Sequence, residues 1–140
     1  MEFRKGVSLI VYRKEKDKIF YLVLKRKLRW KGYELCKGGK LRSETDLQAI
    51  KRELREETGL KPVKITKLNI KEKFVYPKKH QNIFHKKGFI ANCYAIEAKG
   101  KIRLSKEHSS YNWLTYQKAK NILTYNNLKA ILGKANEKIK

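Results

Sequence analysis

The sequence predicts an α/β domain in which a mixed β-sheet is packed between helices. Segments of alternating or β-branched residues, typical of strands, occur from residue 6 to residue 114. Helical patterns interrupt them in the middle of the chain and follow them at its C-terminal end, an arrangement that favours helices on a central sheet. The chain has 140 residues and no repeat or proline-rich linker, so we expect one domain over residues 1–140.

The predicted strands are separated by charged or glycine-containing segments, and loops are expected at 28–34 and 35–43. The strands are predicted at residues 6–12, 19–25, 64–75 (as one strand or two), 88–98 inside the sheet, and 111–114. The C-terminal helices are predicted at 116–123, capped by Thr115, and from Asn126 or Asn127 towards Lys138.

The central helix is predicted over residues 45–58. Ser43 or Thr45 can cap its N-terminus, Asp46 suits its positively polarised first turn, and Gly59 supplies the stop. The expected apolar face of this helix consists of Leu47, Ile50 and Leu54.

The composition is strongly basic, with 36 Lys and Arg against 13 Asp and Glu and a formal net charge of +23. Such a surface attracts polyanions, so RNA and free nucleotides with several phosphates are both candidate partners. The bias of an AT-rich or heat-adapted genome is the alternative explanation, since the lysines are spread along the chain.

Other features of the sequence argue against several classes of protein. The N-terminal residues lack the pattern of a signal peptide, and no segment approaches the roughly 18 apolar residues of a membrane span. Cys36 and Cys93 are too few for a disulfide framework or a zinc site, and we expect both to be reduced. The expected protein is a cytoplasmic monomer that does not associate with membranes.

Acidic residues are concentrated in and before the central helix. Glu53, Glu56 and Glu57 stand at i, i+3 and i+4, and therefore share an arc of about 100° on one helix face, beside the apolar stripe. Alone, such a run is more typical of a solvated, salt-bridged helix. Three clustered carboxylates repel one another, however, and a hard cation such as Mg²⁺ offsets this repulsion better than Arg52 does. Such an edge would suit an open Mg²⁺ site of a phosphate-cleaving enzyme, and the spacing of the residues around it decides between the two interpretations.

The spacing around these acids resembles the Nudix box, G-x5-E-x7-R-E-U-x-E-E-x-G-U with U aliphatic. Gly38 is followed after five residues by Glu44, and after seven more by residues 52–60, which match every defining position. Average residue usage gives such a match a chance probability of roughly 10⁻⁷ or less in a chain of this length. The chain is therefore similar to Nudix hydrolases, and this resemblance implies the Nudix fold, an α/β/α sandwich with a mixed sheet.

The resemblance also implies roles for the residues of the box. Arg52 is similar to the residue that orients the acids, and Glu44 to one that supports the loop before the helix. The family activates its water with a glutamate, which here is Glu53 or Glu107. The expected cofactors are two or three Mg²⁺ ions, with Mn²⁺ as the alternative. Their implied ligands are Glu53, Glu56, Glu57, Glu107 and the backbone carbonyl at Lys37 or Gly38.

Residues 102–114 resemble the L-S-x-E-H-x-x-Y-x-W-L segment of asymmetric diadenosine tetraphosphate hydrolases. This second resemblance implies that Tyr76 stacks on a base, which tolerates any base because each has a π face. We expect structural roles for His108, through hydrogen bonds, and for Trp113, in the core. The other implied substrate contacts are Lys37, His85, Lys86, Lys87 and Tyr111.

The sequence departs from that subgroup beside the box. The subgroup's P-K-G-H is here Cys-Lys-Gly-Gly at residues 36–39, and Ser43 replaces the usual glycine before Glu44. The metal ligands are unaffected by these changes. The missing histidine lies near the phosphates in the subgroup, so the substrate preference stays open.

Three functions are consistent with these observations. The expected enzyme cleaves diadenosine tetraphosphate to ATP and AMP. The same machinery acting on the 5′ end of RNA, as a pyrophosphohydrolase or decapping enzyme, is the alternative that the charge favours. A catalytically weak domain that binds RNA or nucleotides is the third, although binding-only relatives tend to lose these acids. Hydrolysis of ADP-ribose is less favoured, because that subgroup prefers a proline about where Tyr76 stands.

Overall fold

A computed structural model describes all residues from Met1 to Lys140 and contains a seven-stranded mixed sheet and four helices. The strands are β1 Phe3–Glu15, β2 Lys18–Arg26, β3 Gly32–Glu34, β4 Cys36–Gly39, β5 Lys61–Val75, β6 Gly88–Lys99 and β7 His108–Leu114. The helices are α1 Asp46–Thr58, α2 Lys78–Phe84, α3 Tyr116–Ile122 and α4 Asn126–Ile139.

The sheet separates two apolar layers, because successive side chains of a strand point to opposite faces. Leu9 of β1 packs with Ile50 and Leu54 of α1 in one layer. Its neighbour Ile10 lies in the other layer, which includes Leu132 of α4. The predicted α/β/α sandwich is therefore confirmed, with α1 on one face of the sheet and α3 and α4 on the other.

The edge of β1 that faces away from β6 is divided between two partners. Its residues Gly6 to Leu9 pair with β4, whereas Tyr12 to Glu15 pair with β2. The second half of β2 pairs with β3 and β7 instead. The strands β1 and β2 therefore diverge. The strands β3 and β4 pair with the edges that have separated, and β7 pairs with the opposite edge of β2.

Several elements differ from the sequence-based prediction. The segments expected to be loops contain β3 and β4, which are too short to show alternation and are defined by their pairing with β2 and β1. The sequence also did not predict α2, a helix of seven residues without a side-chain cap. Residues 64–75 belong to one continuous strand, and β6 lies between β1 and β5, as expected for an interior strand.

Two side chains of the predicted helices were placed wrongly. Leu47 is 49% exposed, because the buried face of α1 turns towards Ala49 instead. The residue that precedes α4 is Tyr125, which makes no capping hydrogen bond, while Asn127 Oδ1 accepts from the N–H of Leu128 inside the first turn.

Trp113 of β7 is half-buried against the layer that contains α1, with the Arg13 guanidinium over its ring.

Both cysteines are free and buried, as predicted for reduced thiols. Cys36 faces the core beneath α1, and burial, followed by nearby carboxylates, raises the pKa of its thiol well above the usual value. It is therefore an apolar packing residue rather than a nucleophile. None of the four helices combines the length and the apolarity that crossing a bilayer requires.

Candidate active site

The caps of α1 set the position of its acidic edge. Thr45, rather than Ser43, is the N-cap: its hydroxyl accepts from the N–H of Gln48 at 3.2 Å, and Gln48 Oε1 accepts from the N–H of Thr45 at 2.9 Å. Gly59 ends the helix with a φ of 75° and donates its N–H to the carbonyl of Arg55. With both ends fixed, the helix presents its three glutamates to β4 and to the segment before β7.

Glu53 is buried against β4. Its carboxylate packs directly on Gly38, in the space that a Cβ would need, whereas the carbonyl oxygen of Gly38 lies against Gly6 of β1. Burial raises the pKa of Glu53 to about 7; the contact with Arg52 opposes this increase, and the charges of Glu57 and Glu56 add to it. The carboxyl group therefore titrates close to neutral pH.

The Arg52 guanidinium holds the loop and the helix acids together. Its Nε and Nη2 donate to the two oxygens of Glu44 at 2.6 and 2.8 Å, and Nη2 also donates to the carbonyl of Gly39 at 2.8 Å. Its Nη1 donates to Glu53 Oε1 at 2.7 Å and to Glu56 Oε2 at 3.1 Å. The hydrogen bonds from Arg52 lower the pKa of Glu44 to about 2. These contacts are consistent with an orienting role for Arg52 and a supporting role for Glu44, and both roles stay predictions.

Glu57 lies between α1 and the start of β7. Its Oε2 accepts from Ser105 Oγ at 3.1 Å and lies 3.3 Å from His108 Nδ1, while His108 Nε2 lies 2.7 Å from Glu34 Oε2. Burial alone lowers the pKa of His108, but the hydrogen bond to Glu34 and the nearby carboxylate of Glu57 outweigh it and raise that pKa to about 9. The imidazole is therefore protonated at neutral pH and balances the two carboxylates, and its structural role stays a prediction.

A chain of ion pairs continues from Glu34 to the fourth predicted acid. Arg26 Nη1 lies 3.1 Å from Glu34 Oε2 and 3.5 Å from Glu107 Oε2. The side chain of Glu107 is 44% exposed, in contrast to that of Glu34, which is buried. Ligand atoms of Glu57, Glu107 and His108 all lie within 4.8 Å of one another. The structure thus brings Glu107 beside Glu57, one of the three glutamates of the acidic edge.

Sequence reasoning missed three residues of this network, namely Arg26, Glu34 and Ser105. No local pattern marks Arg26 or Glu34, because the pairing of β2 with β3 and β7 brings them to His108. One signal was available: Glu34 is an isolated acid between hydrophobic residues in a strongly basic chain. Ser105 lies inside the segment that resembles the tetraphosphate hydrolases, but its contact with Glu57 depends on the fold.

The free carboxylate oxygens fit a divalent cation. Arg52 occupies one oxygen of Glu53 and one of Glu56, and the segment before β7 occupies one of Glu57. The second oxygen of each glutamate takes part in none of these contacts. Hard cations such as Mg²⁺ prefer oxygen donors of this kind and need few of them from the protein. The acids are thus oriented and still available as ligands.

Lys37, a predicted phosphate contact, lies in β4 and is paired within the protein. Its ammonium lies 3.2 Å from Glu72 Oε2 and over the rings of Phe74, at 4.5 Å, and Phe89, at 5.7 Å. Glu72 is only 2% exposed, and its other carboxylate oxygen has no hydrogen-bond partner. A phosphate bound by Lys37 would therefore share the ammonium group with Glu72.

The other predicted substrate contacts lie in two separate places. Tyr76 packs against Phe74 and Phe84, with ring centroids 5.6 and 5.0 Å apart, and so joins Lys37 through the shared Phe74. Tyr111 is 43% exposed on β7, which β2, β1 and β6 separate from β5. The remaining three, His85, Lys86 and Lys87, lie between α2 and β6 on the side of Tyr76, whose N–H donates to the carbonyl of Lys87 at 2.9 Å.

The fold and the acidic edge together define a pyrophosphohydrolase of nucleotide substrates. The family comparison agrees with this class. A family model described as the NUDIX domain matches residues 2–133, and the chain therefore belongs to the Nudix family. No curated protein sequence matches the chain.

Solved structures share the fold at low sequence identity. A binary complex of Ap4A hydrolase from C. elegans has a TM-score of 0.71 at 23% identity and covers 96% of this chain and 97% of its own. A Nudix hydrolase from Listeria monocytogenes has a TM-score of 0.79 at 25% identity, with coverages of 99% and 94%. The Nudix domain of NrtR from Shewanella oneidensis, complexed with ADP-ribose, has a TM-score of 0.78 at 14% identity, with coverages of 100% and 90%. Because one fold carries different ligands, it does not identify the substrate of this chain.

Proposed function

We propose that the protein is a Mg²⁺-dependent hydrolase that cleaves diadenosine tetraphosphate asymmetrically to ATP and AMP. The observation that carries this proposal is the position of Glu53, Glu56 and Glu57 on one edge of α1, each with a carboxylate oxygen outside the surrounding hydrogen bonds. The likeness of residues 102–114 to asymmetric tetraphosphate hydrolases supports the choice of substrate.

The residues that would hold Mg²⁺, or Mn²⁺ as the alternative ion, are Glu53, Glu56, Glu57 and Glu107. Such an ion would offset the negative charge that develops on the phosphate and would lower the pKa of a water at the site. The protein itself orients the carboxylates, through Arg52 on one side and through His108 on the other. Polar neighbours that orient metal ligands contribute strongly to affinity and activity.

Glu53 is the residue that we assign as the general base. A base is most effective when its pKa lies near the working pH, and the pKa of Glu53 is raised to about 7. In that role Oε2, the oxygen that Arg52 leaves free, accepts a proton from the attacking water while the water oxygen bonds to phosphorus and the bond from phosphorus to the leaving nucleotide breaks; Glu56, Glu57 and Glu107 would then hold the ion. Glu107 is the alternative base, although it is more exposed and lies beside Arg26.

The nucleotide is held by the aromatic surface of Phe74, Tyr76 and Phe84, at the end of β5 and on α2. Stacking on such rings contributes about 1–3 kcal/mol per base, whichever base is present. Lys86 and Lys87 follow in the next loop and supply positive charge for phosphates. Phe74 also contacts Lys37 of β4, which directly precedes Gly38, the residue on which Glu53 packs. Phosphates of a nucleotide stacked on this surface would therefore extend along β4 towards the acids.

A second candidate function is removal of phosphate groups from the 5′ end of RNA. The net charge of +23 favours it, because neutralising a nucleic-acid backbone requires many cationic side chains. The same acids would act, and only the leaving group would differ. A domain that merely binds nucleotides is disfavoured by the complete set of box carboxylates.

The purified protein with Mg²⁺ should be assayed against dinucleoside polyphosphates, nucleoside triphosphates, ADP-ribose and 5′-triphosphate RNA. We expect equal amounts of ATP and AMP from diadenosine tetraphosphate, at a higher kcat/KM than for the other compounds. Two ADP molecules per substrate would contradict asymmetric cleavage. Faster release of phosphate or pyrophosphate from RNA would favour the second function, and the absence of any product would contradict both.

A further inference from the structure

A cavity of about 260 Å³ opens on the face of the sheet that carries α1. Lys5 of β1, Lys71 of β5 and Lys40 of the loop before α1 line it, together with Asp46 and Asn92. None of these residues belongs to the acidic edge, and the proposed hydrolysis uses none of them. The cavity is therefore a separate feature of the molecule.

Strand register collects the lysines on this face. Lys5 and Lys73 are both aligned with Ile90 of β6, and Lys71 is aligned with Asn92. Aligned residues of neighbouring strands share a face of the sheet, so three adjacent strands present these lysines side by side. The helix α1 begins at Asp46, which accepts from Asn92 Nδ2 at 2.9 Å, and leaves the sheet beyond this point uncovered.

The positive charge of this surface is not balanced by the protein. Asp46 is the one acid of the cavity, and Lys40 already pairs with it at 2.8 Å. Lys5, Lys71 and Lys73 form no ion pair, and the ammonium of Lys73 instead lies 4.8 Å from the ring centroid of Phe3. Adjacent like charges repel one another, and an anion bound between them removes that cost.

We propose that the cationic surface formed by Lys5, Lys71 and Lys73 around the cavity binds the phosphodiester backbone of single-stranded RNA. Lysines hold phosphates as point charges without reading the base, so the binding is independent of sequence. The cavity admits a phosphate group, whereas a whole nucleotide needs a larger pocket. Lys40 directly follows Gly39, whose carbonyl is bound by Arg52, so a strand on this surface lies next to the loop of the acidic edge.

An anionic membrane is the competing partner for a surface of lysines. Peripheral membrane proteins usually add an amphipathic helix whose apolar face enters the lipid. This surface consists instead of pleated strands around a polar recess, which suits a chain of separate phosphates. The proposed binding of RNA does not depend on the proposed hydrolysis, because RNA can bind to this surface without being cleaved.

The test uses the full-length protein and a 3′-labelled RNA of about 12 nucleotides with a 5′-hydroxyl, followed by fluorescence anisotropy. The variant Lys5→Gln/Lys71→Gln/Lys73→Gln is compared with Lys14→Gln/Lys118→Gln/Lys138→Gln, which removes three exposed lysines from β1, α3 and α4. We expect the first variant to bind RNA at least about tenfold more weakly. The slope of its log binding constant against log salt concentration should be shallower by about two. The second variant should stay within about twofold of the wild type.

Equal losses in both variants would overturn the proposal, because they would show that only the overall charge matters. It would also be overturned if vesicles with anionic phospholipid, but not RNA, bound in a manner that depends on Lys5, Lys71 and Lys73. Hydrolysis of diadenosine tetraphosphate is measured in parallel and should be unchanged in the first variant. If the wild type hydrolyses nothing, the proposed function fails while the result for RNA binding still stands.

Discussion

The carboxylate of Glu53 lies against the Cα of Gly38, in the space where any other residue would carry its Cβ. This contact joins β4 to α1 at the acidic edge. The backbone of Gly38 does not have a positive φ, so its torsion angles alone do not require glycine. The first glycine of the Nudix box is instead required by the close approach of a buried acid.

Changing Gly38 to Ala should therefore impair catalysis more than folding. The methyl group would displace the end of the Glu53 side chain, at a cost of about 1 kcal/mol for the changed torsion angles. A displacement of about 1 Å at a catalytic group lowers the rate by roughly a hundredfold. Measurements of kcat/KM and of urea unfolding test this expectation.

Gly133→Ala is the matched control, since Gly133 lies in α4, where an added Cβ meets only Tyr116 Oη at 3.3 Å. It should keep full activity, and its helix gains up to about 1 kcal/mol of stability from propensity. If Gly38→Ala keeps wild-type kcat/KM, the contact with Glu53 is not important for the reaction.

Changing Arg52 to Lys should reduce both stability and activity although the charge is kept. Arg52 donates to Glu44, Glu53, Glu56 and Gly39 at once, and an ammonium on a flexible chain cannot reproduce this planar arrangement. We expect a loss of about 2 kcal/mol in the free energy of unfolding and at least about a tenfold loss in kcat/KM.

Arg55 provides the control for this substitution. It lies exposed on the same helix and forms no ion pair through its side chain. Arg55→Lys should behave as the wild type in both measurements. Loss of stability in Arg52→Lys without loss of activity would show that Arg52 supports the loop but does not orient the acids.

How far the sequence predicts this site depends on the range of the contacts involved. Glu53, Glu56 and Glu57 lie within five residues of one helix, so helix geometry alone places them on one edge. Glu34 and Arg26, in contrast, reach His108 only through strand pairing between distant segments. Spacing along the chain carries no information about such pairs.

The same distinction explains the errors in the fold. The long strands and the capped helix α1 were predicted because alternation and capping residues are local signals. The strands β3 and β4 contain three and four residues, too few for a periodic pattern, and exist because β2 and β1 provide partners. Leu47 was misplaced because the helix turns Ala49 to the core and so gives Glu53 room at its border.

Changing Glu56 to Gln tests the proposed metal ligands with little risk to the fold. The side chain of Glu56 is 53% exposed, and its one hydrogen bond, from Arg52 at 3.1 Å, can also be accepted by an amide oxygen. We expect kcat to fall by at least about a hundredfold, since a neutral amide is a weaker ligand for Mg²⁺. If Mg²⁺ binds at this site, it should raise the Tm of the wild type, and we expect a smaller increase in the variant.

Glu137→Gln, an exposed acid of α4, is the control for the loss of one negative charge. It should retain wild-type kcat and the wild-type response of Tm to Mg²⁺. A Glu56→Gln protein with most of its activity would contradict the assignment of the metal site.

The stability of the protein should decrease in acid partly because of Asp46. Burial raises the pKa of Asp46, but the bonds from Lys40, Tyr94 and Asn92 outweigh it and lower that pKa from 3.8 to about 2. The unfolded chain therefore binds the proton first, so this contribution is present above about pH 4 and is lost as the pH falls towards 2. Unfolding by urea at several pH values between about 5 and 2 measures the effect.

Asp46→Asn should be less stable than the wild type at neutral pH and should lose less stability over the same acidic range. Asp17→Asn, in the exposed turn between β1 and β2, should keep the wild-type pH dependence. Equal pH dependence in all three proteins would contradict the role of Asp46, and Glu44 would then be the next residue to test.

Changing Tyr76 to Ala should weaken substrate binding without slowing the chemical step. The ring of Tyr76 packs on Phe74 and Phe84 and on none of the acids, so we expect a base stacked there to be held equally in the ground state and in the transition state. Loss of stacking energy of about 1–3 kcal/mol corresponds to a KM increase of roughly 5- to 150-fold at unchanged kcat.

Tyr76→Phe keeps the ring and should retain a KM near that of the wild type. Tyr125→Ala, which removes an exposed ring that packs on Trp30, controls for the loss of an aromatic residue elsewhere. If Tyr76→Ala lowers kcat and leaves KM unchanged, the tyrosine acts on the reaction itself rather than as a stacking surface.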